Sequence, residues 1–263
     1  MKADLHLHTT ASDGKLSPAE TVRWAKDSGL EVISVTDHDT VSGLDEAADE
    51  ARRLGIRFVR GIEISSYSSI EIHILGYNID DKDGDFLAAL SSVKNMRKER
   101  NAQIGARLRG LGLDLDMDFE ADGIGRMNIA REMVSVGYCR DINEAFDRFL
   151  GVGGRAYCAV RRVTPIEAVN IIKKCGGFAS VAHPKKYLLD KRLDMILGGL
   201  APIGLKGLEV NYPGHSDSEK SALTQECYKY ALLPTGGSDF HGDEDKNFRF
   251  DIDARTAKAL RIE

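Results

Sequence analysis

Seven histidines occur in the 263 residues, and six of them stand at or just past the ends of short apolar runs, in company with carboxylates. His6 and His8 form an H-x-H pair, so the alternation of a strand puts both on one side. Asp13 follows in the next loop, and His38 lies in a T-D-H-D turn. Glu63 and His73 end two further runs, His183 precedes Pro184, and Asp239 and His241 form a D-x-H pair. One such histidine alone reads as a satisfied, partly buried imidazole. Nine donors recurring at the same position of successive units read as a metal centre. Six imidazoles and three carboxylates without sulfur suit borderline divalent ions such as Zn²⁺, Mn²⁺ or Fe²⁺ better than Ca²⁺ or Mg²⁺. Nine donors exceed the needs of one tetrahedral ion, so two or three ions bridged by carboxylates are expected.

Donors so far apart in sequence must be carried to one point by regular elements. Strands are expected at Ala3–His6, Val32–Thr36, Phe58–Ile64, Glu71–Gly76, Phe178–Ala182, Gly207–Val210 and Leu232–Gly236. Helical patterns lie between them. One starts at Pro18 with Ser17 as its N-cap, another ends before Gly55, and a third is opened by Thr164-Pro165. Strands alternating with helices imply an α/β fold with a parallel sheet. Donors at the C-terminal ends of successive strands converge only if that sheet closes, which favours a seven-stranded (β/α) barrel. From residue 81 to 161 the pattern is helical throughout, including a long polar helix over Asp85–Arg109. These residues read as a helical insertion between the fourth and fifth strands, leaving 1–80 and 162–263 as the barrel domain.

Composition narrows the class. With 36 Lys plus Arg against 41 Asp plus Glu, the net charge of −5 argues against coating duplex nucleic acid by bulk charge. No apolar run approaches the ~18 residues of a membrane span, and no signal-like segment opens the chain, so a cytoplasmic protein, monomeric or a small homo-oligomer, is expected. The four cysteines are too widely spaced for a metal clip or a dense disulfide framework.

The motifs DLHLHTTASDG, VTDHDT, GIEIS, HILGY, AHP and GGSDFHG, in that order, resemble the PHP (polymerase and histidinol phosphatase) family of metal-dependent phosphoesterases. The resemblance implies a distorted seven-stranded TIM-like barrel around three divalent ions. Carried onto this sequence, it implies that His6, His8, Glu63 and Asp239 hold one ion. Glu63, His73 and His183 would hold a second, and Asp13, His38 and His241 a third. GRMNIAREMV, FLGVGGRAYCAV and NYPGHS resemble the subgroup that acts on small nucleotides, in which a helical insertion overhangs the barrel mouth. Asn128 departs from the histidine often found at that position in the subgroup.

The charge count points the same way. Three divalent ions outweigh three carboxylates by three charges, a surplus suited to a hydroxide and a phosphate monoester, which carries about −1.5 to −2 near neutral pH. The expected reaction is attack of a metal-bridging hydroxide on phosphorus, without a covalent intermediate. Arg126 and Arg155 are candidate phosphate forks on the insertion, Arg126 also a catalytic candidate. His215, outside the metal set, is a candidate for phosphate contact or for protonating a leaving alkoxide. The basic stretch from Lys94 to Arg109 reads as a solvated helix face, with Met96, Ile104 and Leu108 packing it down. The subgroup resemblance implies a 3′,5′-nucleoside bisphosphate as substrate, with AMP or short RNA ends as extensions. A cyclic sugar-phosphate phosphodiesterase would suit the same ions. Readings of another class are a metallo-amidohydrolase and a non-catalytic metal-binding barrel.

Overall fold

Eight strands form one sheet among the described residues of the computed structural model, which are 1–121, 123–158, 162–187, 192–242 and 248–263. They are β1 (Lys2–Leu7), β2 (Val32–Val35), β3 (Arg57–Ser68), β4 (Ile70–Tyr77), β5 (Phe178–Val181), β6 (Leu205–Asn211), β7 (Leu233–Gly236) and β8 (Phe250–Asp251). Their lateral order is β7-β6-β5-β4-β3-β2-β1-β8. The sheet nearly closes on itself, because Leu7 at the end of β1 bridges in parallel to Phe240 just beyond β7. His8 N–H donates to Phe240 O across the same seam at 2.9 Å.

Two expectations need correction. The sheet has eight strands rather than seven, since the two-residue β8 pairs antiparallel with β1. A Phe-Asp step offers no alternation that could announce a strand in the sequence. The sheet is also mixed rather than parallel. β3 turns directly into β4 through Ser69, whose φ is +60°, and the two pair antiparallel over eight residue pairs from Gly61↔Tyr77 to Ser68↔Ile70. A parallel neighbour would need a crossover of a dozen or more residues, and here one residue separates the strands. β4 consequently runs against β5 as well, while β5–β6, β6–β7, β1–β2 and β2–β3 are parallel.

The helices are α1 (Pro18–Asp27), α2 (Leu44–Leu54), α3 (Gly84–Gly110), α4 (Arg126–Ser135), α5 (Ile142–Ala145), α6 (Pro165–Lys174), α7 (Arg192–Leu200), α8 (Asp217–Tyr230) and α9 (Ala254–Ala259). The start of α1 shows why it begins where it does. Ser17 Oγ accepts Glu20 N–H at 3.3 Å and Glu20 Oε2 accepts Ser17 N–H at 2.8 Å, closing two orphan donors reciprocally. Thr164 and Glu167 do the same for α6, and Ser216 and Glu219 for α8. Gly55 ends α2 at φ +65°, the left-handed cap that glycine adopts without strain.

The chain divides into two compact units, one of Met1–Ala89 with Val163–Glu263 and one of Leu90–Arg162. The first contains the whole sheet. Ala3, Leu5, Val32, Val59, Leu75 and Tyr77 pack together in its core. Asp4 and His6 of β1 are equally buried. The second unit packs Ile104 and Leu108 of α3 against Ile129 and Met133 of α4 and Phe149. Arg100, expected on a solvated face, is instead buried, with its guanidinium donating to Asn101 Oδ1 at 3.2 Å. The expected end of the insertion, residue 161, lies outside the described residues. Among the described residues no helix is long and apolar enough to cross a membrane.

Gly61 marks a tight seam between β2 and β3, two residues before Glu63. A Cβ there would run into Ser34 Oγ and come within 2.8 Å of Thr36 Cγ2. Gly61→Ala should therefore destabilise the protein by about 1–3 kcal/mol, read as a lower denaturation midpoint. An unchanged midpoint would show that the seam is slack.

Candidate metal centre

Alternation in β1 turns His6 inward, and His8 follows on the same side; both are fully buried. Gly237 permits this, since its Cα packs so close to His6 that any side chain would strike the His6 backbone. After His8 the chain doubles back. Gly14 N–H donates to Thr9 O at 2.9 Å, and a Cβ on Gly14 would sit 2.6 Å from the His8 carbonyl. This turn delivers Asp13, and Asp37 anchors it by accepting Thr9 N–H and Thr9 Oγ1–H, both at 2.7 Å, and Ser12 Oγ–H at 2.6 Å. His38 follows β2 and forms an isolated parallel bridge with Glu63.

Glu63 and His73 do not end their strands, contrary to the sequence reading. Glu63 lies in the middle of β3 and His73 in the first half of β4. Because β4 runs antiparallel, its first half reaches the end of the sheet where the parallel strands finish. His183 leaves β5 at φ +27° and Asp239 follows β7 at φ +56°. Both backbones are in the strained left-handed region that non-glycine residues seldom occupy.

The nine expected donors meet. His6 Nε2 stands 3.4 Å from both Glu63 Oε2 and Asp239 Oδ1, and His8 Nε2 stands 3.3 and 3.2 Å from the same two oxygens. Donors of one tetrahedral ion at about 2.0–2.2 Å lie about 3.3–3.6 Å apart along each edge, so these four spacings fit an ion of that size. His6 Nε2, both ring nitrogens of His8, and Glu63 Oε2 are buried without a hydrogen-bond partner. Leaving such atoms unmatched is costly; a cation between them would satisfy His6 Nε2, His8 Nε2 and Glu63 Oε2, while His8 Nδ1 faces Asp13 at 3.8 Å.

Two further groups adjoin the first. His38 Nδ1 lies 3.1 Å from Glu63 Oε2, and His73 Nδ1 lies 2.9 Å from Glu63 Oε1. His183 Nε2 approaches Glu63 Oε1 at 3.1 Å. Around Asp13 stand His241 Nε2 at 3.3 Å, His8 Nδ1 at 3.8 Å and His38 Nε2 at 4.0 Å. His241 Nδ1–H donates to Asp239 O at 2.9 Å, which leaves Nε2 as the nitrogen facing Asp13.

Electrostatics follow from this crowding. Burial pulls His8 down, but Asp239 and Glu63 beside it carry it up to about 10. His73 also rises to about 10, burial again being outweighed by Glu63 and Glu71. His38 falls to about 4, through burial and the neighbouring His8 and His73. Burial would raise Glu63 and Asp239, yet the surrounding imidazoles hold both well below the ordinary carboxylate range. Burial lifts Asp4, two residues before His6, to about 7.

The remaining candidates are placed differently. His215, between β6 and α8, donates Nδ1–H to Val210 O at 2.9 Å, while its buried Nε2 has no partner. Its ring lies 5.1 Å from that of Tyr212, whose own ring is 6.0 Å from His183. Arg126 begins α4, 5.7 Å from the centre of the Phe146 ring, and Arg155 lies 5.9 Å from that of Phe149. Both belong to the Leu90–Arg162 unit. Asn128 has a local role, its Oδ1 accepting Gly125 N–H at 2.8 Å across the first turn of α4. The sequence reading missed Tyr212, whose O–H reaches Asp239 Oδ2 at 3.5 Å, and Glu209, which contacts His6. A lone acid in the apolar strand L-K-G-L-E-V-N was the available signal for Glu209.

Comparison with known proteins agrees with this geometry. Residues 4–118 match the PHP domain family. A 5′-3′ exoribonuclease of Haemophilus influenzae is 35% identical over 246 residues, covering 91% of this chain and 90% of its own. A 3′,5′-nucleoside bisphosphate phosphatase of Chromobacterium violaceum is 32% identical, covering 90% and 86%. Among solved structures, an amidohydrolase of Chromobacterium violaceum with bound sulfate and no metal superposes with a TM-score of 0.89 at 30% identity, covering 99% of this chain and 97% of that one. A protein described as a metal-dependent phosphoesterase of Bifidobacterium adolescentis gives 0.82 at 26% identity, covering 98% and 94%. The chain belongs to the PHP family of metal-dependent phosphoesterases and is a hydrolase of phosphoric esters.

The raised imidazoles give a pH prediction. Without ions, His8 and His73 keep their protons at pH 7, so the stability they contribute is full below the ordinary imidazole value and lost as pH rises through about 10. Ligating imidazoles are neutral, so metal must displace these protons. Calorimetric titration with Zn²⁺ in buffers of different ionisation enthalpy should show net proton release at pH 7 and affinity that rises with pH. Binding without proton release would place the ions elsewhere.

Proposed function

We propose that the protein hydrolyses phosphate monoesters of small nucleotides, most concretely removing the 3′-phosphate of a 3′,5′-nucleoside bisphosphate. The observation that carries this reading is the set of donor spacings around Glu63 Oε2 and Asp239 Oδ1, with unpartnered buried nitrogens pointing at them. His6, His8, Glu63 and Asp239 hold one ion, Glu63, His73 and His183 a second, and Asp13, His38 and His241 a third. His38 stands between the last two groups, with one ring nitrogen toward Glu63 and the other toward Asp13. Divalent ions there would supply an acidified water and would polarise phosphoryl oxygens.

The chain's own residues do the rest. Val210 O ties the Nδ1–H of His215, so its Nε2 is the atom left to hold or pass a proton at the leaving oxygen. Arg126 and Arg155, whose guanidiniums form planar forks, are assigned to the phosphate that is not cleaved. In this reading 1–80 with 162–263 is the domain that carries out the chemistry, and 81–161 is the insertion that selects the substrate. A second reading, trimming of 5′-phosphorylated RNA, is favoured by the 35% identity to the Haemophilus exoribonuclease.

A panel assay of the metal-loaded protein separates these. It would follow phosphate release from 3′,5′-bisphosphates, 5′-monophosphates, cyclic phosphates and histidinol phosphate, and nucleotide release from 5′-phosphorylated oligoribonucleotides. Preference for the bisphosphate is expected; equal turnover on every substrate would refute the assignment. Asp13→Ala should lower the metal content by about one ion per chain and reduce kcat by about 100-fold or more. Full metal content and unchanged kinetics would remove Asp13 from the ligand set. Arg126→Ala should raise KM for the bisphosphate more than it lowers kcat, whereas a pure kcat loss would make Arg126 part of the chemical step.

A further inference from the structure

Glu209 is fully buried in β6, and both of its carboxylate oxygens are engaged by residues of the metal centre. Oε1 accepts His6 Nδ1–H at 3.1 Å, and Oε2 accepts the backbone N–H of His183 at 2.5 Å. β6 pairs with β5, which leads to His183, and with β7, which leads to Asp239. A carboxylate inside a barrel of apolar strands is costly to desolvate, and a leucine there would pack without that cost. The position is therefore explained by what the carboxylate holds.

It holds two things. A proton kept on Nδ1 of His6 leaves Nε2 as the nitrogen with a lone pair. Nε2 is the atom directed between Glu63 Oε2 and Asp239 Oδ1 at 3.4 Å from each, with no other partner. The bond to His183 N–H secures a backbone that sits at φ +27°, a conformation that persists only when its surroundings over-determine it. The ring of His183 then reaches Glu63 Oε1 at 3.1 Å.

We propose that Glu209 is a positioning residue of the metal centre, fixing the tautomer of His6 and the backbone of His183 so that one carboxylate sets the donors of two neighbouring ion positions. The proposal rests on reading the cluster as a metal centre, and the experiment separates the two. Chelated wild-type protein and Glu209→Gln are each titrated with Zn²⁺ by calorimetry, and the thermal melting of both metal-free forms is recorded. The amide can still accept His183 N–H, but it opposes an NH₂ to the Nδ1–H of His6. Zn²⁺ affinity should fall about 10–100-fold while the metal-free melting temperature stays close to that of the wild type. Equal affinity in the two proteins overturns the positioning role and leaves the metal centre standing. A wild type that binds no Zn²⁺ overturns both. Should Glu209→Gln fail to fold, nitrogen NMR of Zn²⁺-loaded wild type decides. His6 protonated at Nδ1 and metal-bound at Nε2 supports the proposal, and Nδ1 coordination overturns it.

Discussion

One buried carboxylate organises this protein. Five imidazoles close on Glu63: His6, His8 and His38 stand 3.1–3.4 Å from Oε2, and His73 and His183 stand 2.9–3.1 Å from Oε1. Without ions, such a cluster crowds five buried or half-buried imidazoles around one carboxylate. It can be sustained only because carboxylates are interleaved with them and because the strands around it are locked by a nearly closed sheet. The closure seam is part of the site: β1 meets the segment after β7 through His8 and Phe240, and the same backbone delivers His6, His8, Asp239 and His241.

The charge balance differs from the one that the ligands alone suggest. Under the proposed ligand set, three divalent ions against Asp13, Glu63 and Asp239 would leave a surplus of three positive charges. Glu209, hydrogen-bonded to His6, would as a fourth carboxylate reduce that surplus by one. An anion with the charge of a phosphate monoester still answers what remains, whereas a neutral amide would leave it unmet. This bears on the solved relative called an amidohydrolase, which shares the fold at a TM-score of 0.89. Shared architecture does not by itself choose between substrates.

Several strained backbones fall in the same place, although Ser69, Asn78, Ala231 and Arg261 adopt positive φ elsewhere. His183 and Asp239 adopt positive φ, as does Asp39 beside His38, while Gly14 and Gly237 sit where no side chain fits. Each serves a convergence that ideal strands would not achieve. Asp37, through Thr9 and Ser12, and Glu209, through His6 and His183, tie these loops to the sheet. The candidate ligands are thus held by hydrogen bonds that need no ion, which is what preorganisation for metal requires.

Much of this was legible in the order of residues. H-x-H, T-D-H-D and D-x-H carry their chemistry in their types and spacing, and strand alternation alone puts His6 and His8 together. The helix starts at Pro18 and Pro165 could be read because caps are local. The antiparallel course of β4 was legible too, because residues 65–70 between the two expected strands are too few for a parallel crossover, although the apolar run itself fits either direction. β8, two residues long, had no pattern to show. Glu209 was hard to see as a site residue because nothing near it in sequence resembles a ligand, whereas Asp37 and Tyr212 stand near the candidates His38 and His215 and their contacts, not their neighbours, set their roles. They matter through contacts across 203 residues in the case of Glu209 and His6. Residue type and spacing by themselves determined which atoms can bind metal. Tertiary structure decided which of them share an oxygen, which ring nitrogen each presents and which second carboxylate stands behind, because those depend on distances of a few ångströms between strands remote in the chain.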